Sequence, residues 1–135
     1  MSESTILDAT DNSAPDIEIE VETHYLQQES QPDKNRHAFS YTITITNHSH
    51  VGIKLLTRYW HIEDANNKVQ EVSGEGVIGQ QPHLGHKQSF QYTSGAILET
   101  SAGIMEGHYD FVSDHGDVFK APVPAFTLAN PSVLH

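Results

Sequence analysis

Phe39-Ser-Tyr-Thr-Ile-Thr-Ile-Thr46 decides the fold class. Phe39, Tyr41, Ile43 and Ile45 alternate with Ser40, Thr42, Thr44 and Thr46. A period of two puts the large apolar residues on one face and the hydroxyls on the other, as in a half-buried strand. Aromatic and β-branched side chains suit that pleated surface. Upstream, Ile17, Ile19 and Val21 alternate with Glu18, Glu20 and Glu22, which predicts a second strand of the same kind. Downstream, Asn47 to Gly52 reads as a turn, and residues 53–63 are apolar on both parities. That pattern predicts a central strand covered on both sides, or one bent by a bulge.

Further along, Asp64-Ala65-Asn66-Asn67 reads as a hairpin turn and Val69–Val72 as its return strand. Gly74 to Gly85 is glycine-rich and irregular. Ser89–Thr93 is a strand, and Ser94 to Gly103 a loop carrying Ile97 and Leu98. His108–Val112 and Val118–Val123 make a hairpin about Asp114-His115-Gly116. A short last strand, Ala125–Leu128, follows Pro124. Seven to eight short strands, with turn signals about every ten residues, predict an all-β antiparallel sandwich of immunoglobulin or fibronectin type III-like form. A closed barrel is the alternative. The expected core is Ile17, Ile19, Val21, Tyr41, Ile43, Ile45, Phe90, Tyr92, Tyr109 and Phe111.

The chain has 135 residues, enough for one domain. Residues 1–15 are acidic and nearly aromatic-free, so they are expected to form a disordered tail, with residues 16–135 the single domain. Cysteine is absent, which removes disulfides, thiolate chemistry and Cys-metal sites. The net charge is −11, with seven of the 18 acids in residues 1–22 and no Lys or Arg there. Such a chain lacks the basic stripe that neutralises phosphates, so neither nucleic acid nor an anionic membrane is an expected partner. No apolar run approaches the ~20 residues of a membrane span, and the first residues lack the pattern of a secretory signal. A soluble, cytoplasmic protein is expected.

Gly74-Glu-Gly76-Val-Ile-Gly79 matches G-x-G-x-x-G. In a dinucleotide fold those glycines let a pyrophosphate approach a helix N-terminus. Here Pro82 and Gly85 deny the following helix, and Glu75 puts negative charge at the phosphate position. A bulged or kinked strand is the preferred reading, with anion binding second. His48 and His50 share the turn, and His83, His86, His108 and His115 are scattered, with no metal-ligand spacing among them. Ser94 follows a strand, but no G-x-S-x-G elbow activates it. No catalytic residues, metal or cofactor are assigned. Arg58 and Trp60 share one strand face. Trp60 is expected in the core, and Arg58 then needs either the sheet edge or a carboxylate. Were Trp60 exposed instead, the pair would form a binding patch.

Three stretches resemble one family: LLTRYWHIEDANNKVQEVSGEGVIGQQP (55–82), FQYTSGAILETSAGIMEGHYDF (90–111) and PAFTLA (124–129). Over residues 16–134 the chain is similar to the ApaG family, through R-x-W-x-I, G-x-G-V-[VI]-G-x-x-P, Y-T-S-G, G-x-M-x-G-x-Y and P-x-F-x-L. The resemblance implies a fibronectin type III-like sandwich without established catalytic residues. The same domain occurs in a eukaryotic F-box protein and a polymerase delta-interacting protein, where it looks like an interaction module. Family association with a diadenosine tetraphosphatase gene, cobalt resistance and magnesium efflux implies, at most, an indirect part in divalent-ion handling. A pyrophosphate site has been suggested for the family's glycine segment, here Gly74, Gly76 and Gly79. Where the family usually has Pro-Gly, this chain has His86-Lys87, and Lys87 adds a positive charge. The family's turn glycine is here Asn67. The resulting expectation is a non-catalytic module recognising an unknown protein partner through Arg58, Trp60, Gly74, Gly76, Gly79 and Lys87. Pyrophosphate or nucleotide-anion binding is the alternative, and homo-oligomerisation is left open.

Overall fold

The computed structural model describes residues 2–9 and 15–133. Among them are nine strands: β1 (Ser2–Ala9), β2 (Ile17–Tyr25), β3 (His37–Asn47), β4 (Ile53–Asp64), β5 (Val69–Glu75), β6 (His83–Leu84), β7 (Ser89–Leu98), β8 (Ala102–Ser113) and β9 (Val118–Ala129). The only helical elements there are three-residue 3-10 turns. The strands form two antiparallel sheets, β1-β2-β3-β7 and β5-β4-β8-β9, with β6 also paired to β4. This is the sandwich that the strand periodicity calls for.

One core lies between the sheets. Ile17, Ile19 and Val21 of β2 and Tyr41, Ile43 and Ile45 of β3 are buried on one side; Tyr109 and Phe111 of β8 face them. Of the ten expected core residues, Phe90 alone is only partly buried, packed against the cluster. Trp60 is 1% exposed and stands at the centre of an aromatic group. Tyr41, Tyr109 and Phe126 meet it edge-on, with centroids 5.7–5.9 Å away, the arrangement favoured by ring quadrupoles. Gly107 makes room for it: a Cβ there would lie 1.9 Å from the Tyr59 carbonyl oxygen and 2.9 Å from Trp60 Cε3.

Several elements differ from the sequence reading. Ser2–Ala9 pairs along β2 from Ser2↔His24 to Ala9↔Ile17, where no regular structure was expected. Strand addition of this kind needs only backbone groups, which low hydrophobicity does not remove. Residues 1 and 10–14 of the expected tail lie outside the described residues. β7 runs through Ser94-Gly95 to Leu98, because these small residues fit beside Phe39–Tyr41 of β3. β9 continues through Pro124; the register with β8 shifts between Met105 and Gly107, and this bulge absorbs the proline on an edge strand. The two-parity pattern of residues 53–63 has the second of its expected causes, a bulge between Leu55 and Thr57. The Asp64 turn forms as expected. The buried Asp64 Oδ1 accepts from the Asn66 and Lys68 amides, and Asn67 takes φ 64°.

Candidate recognition edge at β5 and the glycine hairpin

β5 and β6 both pair with the same edge of β4, β5 over Thr57–Glu63 and β6 over Ile53–Lys54. Between them the chain makes a tight turn. Val77 and Gln80 exchange both backbone hydrogen bonds, at 2.8 and 2.9 Å. Ile78 and Gly79 occupy the central positions with φ 43° and 78°. Two central residues of positive φ make a type I′ hairpin turn. Glycine at 76 follows from the same geometry: its φ is 62°, and a Cβ would sit 2.2 Å from the Gln80 carbonyl oxygen. The G-x-G-x-x-G stretch is therefore a self-closed turn with no helix behind it.

The turn is anchored by the bulge in β4. The Leu56 carbonyl accepts from the Gly76 amide at 2.8 Å and from Gln81 Nε2 at 2.9 Å. Val77 is fully buried, and Ile78 points out with 56% of its surface exposed. Arg58 fastens the base. Its Nη1 donates to the Glu75 and Gly76 carbonyls, at 3.2 and 2.9 Å. A Cβ on Gly74 would lie 3.0 Å from that nitrogen, so the bare backbone at 74 is what the guanidinium rests on.

Arg58 thus resolves the expected conflict from one strand inside the edge, its side chain reaching across Gly74 of the edge strand β5 to the Glu75 and Gly76 carbonyls. Among the described residues it has no carboxylate partner. Trp60 is core, so it takes no part in a surface patch; a strand that places Arg58 at its rim still carries Trp60 inward to the middle of the sheet. Gly74, Gly76 and Gly79 do come together with Arg58. Lys87 does not. It lies in the β6–β7 turn at φ 63°, its amide donating to the Asn47 carbonyl at 2.6 Å. That conformation is one a glycine adopts without strain.

For pyrophosphate, several amides would have to aim at one point. The Gly76, Val77 and Gln80 amides are instead used within the turn or by β4. Glu75 is exposed beside them.

The outer face of β4 and β8 carries a polar group whose cross-strand pairing sequence periodicity alone did not reveal. Tyr59 stacks on His108 at 5.2 Å and donates to Glu71 at 2.6 Å; this hydrogen bond raises the Tyr59 pKa. Asp110 accepts from Thr57 at 2.7 Å and Lys120 at 3.0 Å. Partial burial alone would raise the Asp110 pKa, but these two donors and nearby His108 hold it below the usual value. A shallow hollow of about 430 Å³ runs from His108 and Asp110 to Arg58 and Gly74.

The remaining candidates disperse. His48 reaches Glu18, His83 reaches Asp114, and His50 stacks on His86. Among the described residues no three His, Asp or Glu side chains converge to hold a metal. No helix there is long and apolar enough to cross a membrane. Ser94 sits within β7, opposite Tyr41 of β3.

The ApaG domain family matches residues 27–113. Protein ApaG of Sinorhizobium fredii is 46% identical over 119 residues, 88% of this chain and 92% of that one. Protein ApaG of Photobacterium profundum is 48% identical over 124 residues, 92% of this chain and 98% of that one. A Bordetella pertussis crystal structure described as an ApaA protein superposes with a TM-score of 0.85 at 39% identity, covering 87% of this chain and 95% of that one. With residues 27–113 matched by the family and relatives 46–48% identical along nearly its whole length, the chain belongs to the ApaG family.

Proposed function

We propose that this protein is a non-catalytic, cytoplasmic recognition module that binds another protein at β5 and the adjoining glycine hairpin. Ile78 carries the reading. It is β-branched, yet it occupies a left-handed conformation that costs an L-residue about 1–2 kcal/mol. It is also 56% exposed, so the core does not repay that strain. Asparagine or glycine would fill the position at lower cost. A strained apolar side chain held outward on a rigid, anchored turn is what a partner's pocket uses. Arg58 contributes by holding the turn in place.

The test is affinity capture from cell extract with the wild-type chain, Ile78→Asn and Arg58→Ala, at low and moderate salt. Asn tolerates the turn geometry, so Ile78→Asn should fold at least as well as wild type while losing the captured protein. Arg58→Ala should weaken capture, and added salt should weaken it further, because an acidic surface selects basic partners. Identical capture by all three chains would remove the reading.

A further inference from the structure

The free side of β5 has a definite chemical pattern. The Gly76 amide and the Lys68 carbonyl both bond to β4. Backbone groups alternate sides along an antiparallel strand, so the even-numbered residues of β5 serve β4. The amides and carbonyls of Glu71 and Ser73, with the Glu75 amide, therefore point away from the sheet. Two of the other edges are interrupted, β9 along its middle and β7 near its end. β9 carries Pro122 and Pro124, and the Ile97 carbonyl of β7 is taken by Gln70 Nε2 at 2.9 Å. β5 contains no proline and no Lys or Arg.

Side chains alternate as well. Glu71 and Glu75 are exposed and, with Ser73, face outward on the Tyr59 side. Val72, 39% exposed, and the bare Gly74 face the inner rim beside Arg58. We propose that β5 accepts an extended segment of a partner protein as an added strand, with the pattern basic–apolar–any–apolar–basic. The two basic residues sit opposite Glu71 and Glu75, and the apolar pair lies over Val72 and Gly74. A second copy of this chain does not meet that pattern, since a β5-to-β5 pairing brings acids to acids and no base to either. The inference rests on the recognition reading above and names the partner's chemistry.

Peptide titration of the full-length, isotope-labelled chain tests it, followed by amide chemical shifts. Acetylated Lys-Val-Thr-Val-Lys should give saturable shifts at Val69–Glu75. Replacing the central Thr by Pro removes the amide that would bond to Ser73 and should abolish them. Glu-Val-Thr-Val-Glu should bind at least about tenfold more weakly. Glu71→Lys with Glu75→Lys should reverse that preference; both positions are exposed, so folding is kept. Shifts confined to another edge, equal binding of the acidic peptide, or no saturable shift would overturn the proposal. If the peptide fails while Ile78→Asn still loses its captured protein, the pattern is wrong and the recognition reading stands. If the peptide binds while Ile78→Asn captures normally, the edge is a docking strand and the hairpin reading falls.

Discussion

Gly107→Ala should be among the most damaging single-methyl additions in this protein. The added Cβ would lie 1.9 Å from the Tyr59 carbonyl oxygen, where ordinary contact begins at 3.4 Å. The shortfall, 3.4 − 1.9 = 1.5 Å, falls on backbone, which cannot swing aside as a side chain does. β4 must move off β8 at the middle of the sheet, at the Trp60↔Gly107 pair. Trp60 Cε3, 2.9 Å away, must move as well, out of its contacts with Tyr41, Tyr109 and Phe126. Overpacking costs typically about 1–3 kcal/mol, and losing a buried Trp side chain altogether about 3–5. With backbone displaced and the tryptophan partly unseated, the sum is about 4 kcal/mol, a large share of the roughly 5–15 kcal/mol of a typical domain. At about 4 °C per kcal/mol for a chain of this size, Tm should fall by about 15 °C. Thermal unfolding followed by circular dichroism measures this, with urea unfolding as a second estimate. Gly79→Ala is the control: nothing lies within 4 Å of its Cβ position, so only its positive φ is penalised, by about 1 kcal/mol. A Gly107→Ala protein melting within about 3 °C of wild type would refute the account of the tryptophan seat.

Burial raises the pKa of Tyr41, Tyr92 and Tyr109. Their contribution to stability is full below the unfolded value of about 10 and is lost as pH rises above it toward the folded values. Phenolate absorbance should therefore show these three ionising only as the protein unfolds in alkali; their titration in the folded state near pH 10 would contradict the packing. Asp110 behaves in the opposite sense. With its pKa held low by Thr57, Lys120 and His108 against the raising effect of burial, its contribution is present above the unfolded value of about 4 and disappears as pH falls through the lower, folded value. Asp110→Asn should reduce the urea midpoint at pH 7 and flatten its dependence on acid; an unchanged acid profile would show that the carboxylate is not held as described.

The fold was largely legible because the strands of a sandwich advertise their inner face by alternation, as in β3 and β2. Legibility failed where the backbone, rather than the side-chain pattern, sets the structure. Ser94 and Gly95 resemble turn residues by composition, but the β3 ladder carries them as strand residues opposite Tyr41 and Ser40, and a Cβ on Gly95 would come within 3.3 Å of the Phe39 carbonyl oxygen. β1 is built from acidic sequence and held to β2 by ladder bonds, which composition does not report. At the site, the gathering of Arg58 with Gly74, Gly76 and Gly79 follows from register, and Arg58 opposite Gly74 is one step of it. Which of Val77 and Ile78 is buried was not readable, because adjacent β-branched residues look alike until the turn type assigns one inward and one outward.

The prolines of β9 have a consequence for stoichiometry. A sheet with two receptive edges can pass a guest strand's order from one molecule to the next, and so grow into a fibre. In the β5-β4-β8-β9 sheet one end is receptive and the other lacks the amides of Pro122 and Pro124. If a strand adds at β5, the β9 end cannot offer the same template, so copies of the chain do not join end to end through the two edges of this sheet.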